Sequence, residues 1–298
     1  VCFEALDGDV RLWATINEPW VVCDGGHLHG TLAPGHRNLF EAPRVAHHLL
    51  LAHAEAVLAY RARGRHRIGL VVNVEPKHPA SDRPEDIAAA VRADAYTNRH
   101  FLDPVFLGHY AEELPAIYGE GWREPPAADL ARIRQPLDFL GLNYYARGVV
   151  RNDPACWPTG AAKALRPEAA TTALGWEVYP QGLEETLAWL RARYGEVPLY
   201  VTENGAAFAD PPPGEGGLIA DAPRVTYLRD HLLALRRTLA GVDVRGYFVW
   251  SLLDNLEWSL GYGPRFGIVH LDYSTQKRTP KVSADFYREV IRSRGAAL

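Results

Sequence analysis

Two glutamates in this sequence stand where a run of strand-forming residues gives way to a turn. Leu12-Trp13-Ala14-Thr15-Ile16 reads as a strand, and Asn17-Glu18-Pro19 follows it directly. Leu199-Tyr200-Val201-Thr202 reads as another, followed by Glu203-Asn204-Gly205. Proline cannot continue a ladder and biases the residue before it toward extended backbone, so Glu18 is expected to project from its strand end. Asn204-Gly205 is expected to make the exit turn beyond Glu203. Two carboxylates delivered to one mouth from different strands suit cleavage of a glycosidic bond, in which one attacks the anomeric carbon and the other protonates the departing oxygen. That division of labour requires an acid with a raised pKa and a hydrogen-bonded, ionised nucleophile. Either tripeptide alone fits a solvated loop glutamate equally well; their matching placement favours catalysis.

The elements that must carry these groups alternate. Strand patterns at Leu12–Ile16, Ile68–Val74, Phe139–Leu142, Leu199–Thr202 and Val244–Trp250 are separated by helical periodicities. The helices are expected at Pro43–Arg63 (closed by Gly64), Glu85–Val105, Gly182–Tyr194, Arg224–Leu239 and Val282–Arg292, with a long loop from Tyr145 to Trp176. Near-continuous apolar strands alternating with helices describe a parallel α/β sheet covered on both faces, either doubly wound or a (β/α)₈ barrel. Polar residues follow four of the five strands: Glu18, Asn143, Glu203 and the stretch from Ser251 to Trp258, with Asn73 a weaker fifth. Barrel enzymes build their sites from several strand ends in this way. No Gly-rich phosphate loop follows any strand, which disfavours a nucleotide-binding doubly wound domain.

Composition excludes several functions. The 298 residues are 47% hydrophobic and 23% charged, as in a well-packed globular protein, and suggest one large domain or two small ones; the single alternating strand–helix pattern is taken as one domain spanning 1–298. A net charge of −4 and a pI near 6.3 leave no electrostatic footprint for nucleic acid or an anionic membrane. The longest apolar stretches are interrupted by His, Glu or Ser, so no membrane span is expected. Cys2, Cys23 and Cys156 form no CxxC pair and suit reduced thiols in a cytoplasmic setting. His27-Leu28-His29 is read as a Gly-rich loop without a nearby carboxylate or Cys partner, and His47, His48 and His53 are poorly spaced for a shared ion. No metal and no cofactor are expected. Trp13, Trp122 and Trp189 are read as packing residues, and Glu55 and Glu75 as surface or strand-end charges.

Beyond these readings, Thr15-Ile16-Asn17-Glu18-Pro19-Trp20 and Tyr200-Val201-Thr202-Glu203-Asn204-Gly205 resemble the two catalytic signatures of family 1 glycoside hydrolases. Three further strings agree in order and spacing: Asn143-Tyr144-Tyr145, Gly175-Trp176-Glu177-Val178-Tyr179-Pro180 and Trp250-Ser251-Leu252-Leu253-Asp254-Asn255-Leu256-Glu257-Trp258. The similarity extends from Val1 to about Ile291. It implies a (β/α)₈ barrel and a retaining β-glucosidase acting on small-molecule β-glucosides or oligosaccharides, with galactosides and fucosides left open. Glu18 would be the acid/base and Glu203 the nucleophile. Asn17 would hold the sugar 2-hydroxyl and Tyr145 would orient Glu203. Trp250 would floor the glycone site, Glu257 and Trp258 would bind the far hydroxyls, and Trp176 would flank the leaving group. Asn73, Asn143 and Phe266 would line the pocket.

Only five of eight units are readable, and the sequence opens on Val1 without any Met. It is therefore expected to be the C-terminal part of such a barrel, with roughly 90 residues or more upstream, exposed edges near Leu12 and Trp250, and doubtful activity alone. The alternative is a catalytically weak or inactive sugar-binding relative. A phospho-β-glycosidase would carry Ser in place of Glu257 and a downstream Lys, whereas Gly263-Pro264-Arg265-Phe266 offers none; myrosinase-like members lack the acid/base glutamate.

Overall fold

In the computed structural model, which describes residues 1–298, the five predicted strands form one sheet. They are β1 (Leu12–Asn17), β2 (Arg67–Asn73), β3 (Phe139–Asn143), β4 (Leu199–Asn204) and β5 (Val244–Val249). They lie side by side in chain order and every neighbouring pair is parallel. A doubly wound sheet reverses its strand order partway along; this one does not, and its sequential order is that of a (β/α)₈ barrel wall. β1 and β5 are the two ends of the arc.

Burial explains why these segments are strands. Residues 68–72 of β2 and all of β3 are buried, so both faces are covered, as in a parallel sheet. β5, at one end, is only partly covered, with Phe248 half-exposed. The covering helices are α1 (Ala42–Arg61), α2 (Pro84–Asp94), α3 (Gln181–Tyr194), α4 (Ala222–Thr238) and α5 (Val282–Arg292). Leu70, Val72, Leu140, Leu142 and Val201 of the sheet join one core with Leu50 of α1, Leu187 and Leu190 of α3 and Leu232 of α4. Each such side chain contributes about 1.5–3 kcal/mol by leaving water. That core fixes the strands whose ends carry the polar residues.

Several local expectations are corrected. The helix predicted over 85–105 runs through a π turn at Ala95–Arg99 before continuing as His100–Phe106. α1 ends at Arg61, and Gly64 is not a left-handed cap; a Cβ there would lie 2.1 Å from the Tyr60 ring, so space requires the glycine. The long loop after Tyr145 contains two short strands, Gly148–Asn152 and Ala161–Lys163, which build a small second sheet with Lys77–Pro79. His27 and Leu28 lie on a π-helical turn, Val22–Leu28, rather than in a loop. Trp13 does pack, edge-on to Phe3, and Trp122 stacks on Tyr118. The three cysteines are unpaired, and no helix is long and apolar enough to cross a membrane.

Candidate active site

Strand register assembles the site. β2 pairs Asn73 with Asn143 of β3, and Asn143 in turn pairs with Glu203 of β4. The Glu18 N–H donates to the Val71 carbonyl at 3.0 Å. Asn17, Glu18, Asn73, Asn143 and Glu203 therefore share the C-terminal edge of the sheet, where barrel enzymes place their chemistry.

Glu18 leaves its strand differently from the extended path predicted. Its backbone is left-handed, at φ 49° and ψ 61°. Pro19 excludes the right-handed helical region for the residue before it, yet the chain must turn at once into the short helix Pro19–Val21. Such a conformation costs a non-glycine residue about 1–3 kcal/mol and persists where the surroundings over-determine it. Here those surroundings are the bond to Val71 and the grip of Asn143 on the side chain. Gly205 is also not a turn glycine. A Cβ there would lie 1.8 Å from the Trp250 carbonyl oxygen, so the residue is small to let β4 and the end of β5 touch.

Side chains link the carboxylates. The Asn143 amide donates to Glu18 Oε1 at 2.8 Å and to Asn17 Oδ1 at 3.0 Å, while its carbonyl oxygen accepts from Thr202 Oγ1 at 2.6 Å. Thr202 thereby fixes which face of the amide reaches Glu18. The Tyr145 hydroxyl donates to Glu203 Oε2 at 2.6 Å. Burial, then the nearby Glu203 charge, and more weakly Glu257, push Glu18 up to about 7, against the pull of the Asn143 bond. Burial also raises Glu203, but the Tyr145 phenol and the Asn143 and Asn17 amides draw it back toward the ionised form. Glu257 is raised by burial and by Glu203. The three carboxyls thus sense one another, and their environments separate a proton-holding Glu18 from a hydrogen-bonded Glu203.

The wall is aromatic. Tyr145 meets Trp176 edge-on at 5.3 Å and Phe266 at 6.3 Å, and Trp176 and Phe266 lie 6.1 Å apart. Phe266 is buried, while Trp250 and Glu257 are partly buried. Asn73 Oδ1 is buried without a hydrogen-bond partner. Trp258 is not drawn in with the others: it is 74% exposed on a 3₁₀ turn, at φ 42°.

Several residues that support the site were not singled out from the sequence pattern. Asn204, fully buried, donates to the Tyr144 carbonyl at 2.8 Å and accepts from the Tyr247 hydroxyl at 2.7 Å, which locks β4 beside Glu203. Arg147 forms a two-pronged pair with Glu177 at 2.8 and 2.9 Å and lies over the Tyr179 ring, anchoring the segment that carries Trp176. An Arg two residues beyond Tyr145 and a Glu beside Trp176 are the cue that could have suggested this pair. Asp254 accepts from the Gly267 N–H at 2.9 Å and from Lys281 and Arg265, tying the Glu257 segment to the Phe266 segment. Asp210, Asp254 and His270 cluster as metal ligands would, but the Lys281 ammonium, 2.7 Å from Asp210 and 3.2 Å from Asp254, already supplies their positive charge.

Comparison with known proteins points the same way as the geometry. The family model for glycosyl hydrolase family 1 matches residues 1–296. A 1,4-beta-D-glucan glucohydrolase of Thermotoga neapolitana and the beta-glucosidase A of Thermotoga maritima are each 41% identical over 298 residues, covering 99% of this chain. The chain spans 66% of the length of each of these relatives. The solved family 1 β-glucosidase of Thermotoga maritima superposes with a TM-score of 0.95 at 41% identity over 99% of this chain and 66% of that one. The same enzyme has also been solved in complex with deoxynojirimycin, again with a TM-score of 0.95 at 41% identity and the same coverage. A sugar-binding relative without catalysis gains no support from these matches.

Proposed function

The chain belongs to glycosyl hydrolase family 1, and from that premise we propose that it carries the catalytic centre of a retaining β-glucosidase. Glu203 is the nucleophile, Glu18 the acid/base, and terminal non-reducing β-D-glucosyl groups are the substrate. The observation that supports this reading best is the unequal treatment of the two carboxyls. Glu18 is pushed to about 7, while Glu203 accepts the 2.6 Å bond from Tyr145. Near neutral pH, Glu18 holds the proton that the departing oxygen needs, and Glu203 presents charge to the anomeric carbon.

The second half-reaction follows from the same electrostatics. Attack forms a C1–Oε bond and breaks the glycosidic bond, and the Glu18 proton goes to the leaving oxygen. Esterified Glu203 no longer carries charge. The Coulombic push that helped raise Glu18 is gone, and the now ionised Glu18 takes a proton from water as that water attacks C1. Asn17, joined to Glu18 through the Asn143 amide, meets a sugar hydroxyl, and Asn73, whose Oδ1 is buried, lines the pocket wall. Trp250 supplies the flat face under the ring, and the Trp176–Tyr145–Phe266 wall shapes the pocket. Glu257 accepts hydroxyls of the glycone, and its charge opposes a 6-phosphate. The sugar-like inhibitor bound by the solved Thermotoga maritima relative supports small-molecule glycosides as the substrate class.

A leaving-group series tests the assignment. Glu18→Ala is expected to slow substrates with poor leaving groups far more than activated aryl glucosides, which need little protonation. Glu203→Ala is expected to abolish turnover of all of them, since no covalent intermediate forms. Equal losses across the series for Glu18→Ala would remove Glu18 from the acid role.

A further inference from the structure

We propose a second site, a zinc-class divalent cation bound by His27, His36 and Glu41. These residues come from a π-helical turn (Val22–Leu28), the loop that follows it, and the residue just before α1. His27 Nδ1 lies 3.1 Å from Glu41 Oε1, and His36 Nδ1 lies 2.8 Å from the same oxygen. The two rings stand perpendicular with centroids 5.3 Å apart, and all the ligand atoms fall within 4.8 Å of one another. In a tetrahedral site with metal–ligand bonds of about 2.0–2.1 Å, ligand atoms are about 3.3 Å apart. Each imidazole nitrogen already stands near that spacing from the one carboxylate oxygen on which both are turned inward.

Two imidazoles and a carboxylate form a zinc-type ligand set that leaves a fourth position for water. His36 is half-exposed, so the position has access to solvent. The backbone is prepared for the job. The His36 N–H donates to the Gly26 carbonyl and the Asn38 N–H to the His27 carbonyl, each at 2.9 Å. Asn38 Oδ1 accepts from the Phe40 and Glu41 N–H groups, which sets the start of α1. Gly26 lets the loop sit close, since a Cβ there would lie 2.8 Å from the Ala33 carbonyl oxygen. The ligands are thus held by main-chain bonds independent of any metal, as a preorganised site requires. No lysine or arginine contacts Glu41, in contrast to the Asp210–Asp254 pair, where Lys281 already stands in for a cation. The sequence pattern set His27 beside His29 without a nearby carboxylate and led to no metal being expected; folding turns His29 toward Asp24 and supplies His27 with His36 and Glu41. A bound ion would staple the connection between the Glu18 segment and α1. The ion would take no part in cleavage of the glycosidic bond, which the Glu18–Glu203 pair carries.

Zinc itself is the probe. Protein stripped with a chelator and dialysed against Zn²⁺ is expected to retain one ion per chain by elemental analysis. The ion should raise Tm by on the order of 5 °C at saturating metal. Glu41→Gln keeps an acceptor for both imidazoles but removes the ligand charge, and His36→Ala removes a half-exposed ring. Both variants should lose the ion and the Tm shift while keeping the parent's kcat. On the unaltered protein, Co²⁺ should give the intense visible bands of four-coordinate geometry. Retention of no zinc by the parent, undiminished retention by either variant, or only the weak spectrum of hexa-aquo cobalt would each overturn the proposal.

Discussion

Replacing Glu18 by Gln is expected to change the pH dependence of stability in a direction that the site's electrostatics dictates. Glu18 titrates near 4.5 when free of the fold and about 7 within it. Between those values the folded chain holds a proton that the unfolded chain has released. Stability contributed by this group is therefore complete below pH 4.5, declines as pH rises, and is gone once pH passes 7. At about 1.36 kcal/mol per pKa unit, ionising Glu18 in place costs the folded state about 3 kcal/mol. Glutamine is neutral throughout and can still accept the Asn143 amide at the same oxygen. Relative to the parent, Glu18→Gln should gain about 3 kcal/mol between pH 4.5 and pH 8. At about 2–4 °C per kcal/mol, that is a relative rise in Tm of roughly 6–12 °C. Paired melts of parent and variant across this range measure it, and groups too distant to sense Glu18 cancel, leaving Glu18 and its effect on Glu203 and Glu257. A stability difference that stays flat with pH, or that moves in the parent's favour as pH rises, would refute the reasoning.

Tyr145→Phe removes a hydrogen bond to a charged carboxylate, worth about 1.5–3 kcal/mol. Because the bond favours ionised Glu203, its loss should raise the Glu203 pKa and move the acid limb of the kcat/KM profile to higher pH; an unmoved or lowered limb would count against the role. Glu257→Gln should reduce kcat/KM for β-glucosides by roughly 10–100-fold through one weakened charged hydrogen bond. In the same variant the discrimination against 6-phosphoglucosides should narrow, and a parent that prefers the phosphorylated substrate would contradict the assignment.

The parts of this protein that were legible in the sequence are those governed by periodicity and by strand-end chemistry. The buried run at 68–72 and the strand at 199–204 announce themselves because a parallel strand covered on both faces must be apolar along its length. Glu18, Asn143 and Glu203 were legible because polar residues directly after such runs have few other reasons to be there. What stayed hidden depends on partners distant in the chain. Nothing local to Asn204 shows that its amide bridges Tyr144 and Tyr247, or that Arg147 meets Glu177 thirty residues on. The small second sheet was invisible because strands of three to five residues carry too little pattern. The left-handed backbone of Glu18 ran against the local rule for a residue before proline, and tertiary contacts decided it. Trp258 carries no such local cue: its place in a motif suggested a pocket residue, and the turn that bears it leaves the ring 74% exposed.

The central claim is that Glu203 forms a covalent bond to the sugar. A 2-deoxy-2-fluoro-β-glucoside with an activated leaving group slows breakdown of the glycosyl-enzyme more than its formation, so the adduct accumulates. Peptide mass analysis after such treatment should place one fluoroglucosyl group on the peptide containing Tyr200-Val201-Thr202-Glu203-Asn204, with fragmentation assigning it to Glu203 and with labelling absent in Glu203→Gln. A label on Glu18 or Glu257, or turnover of the parent on ordinary glucosides with inverted anomeric configuration and no trapped adduct, would contradict the account.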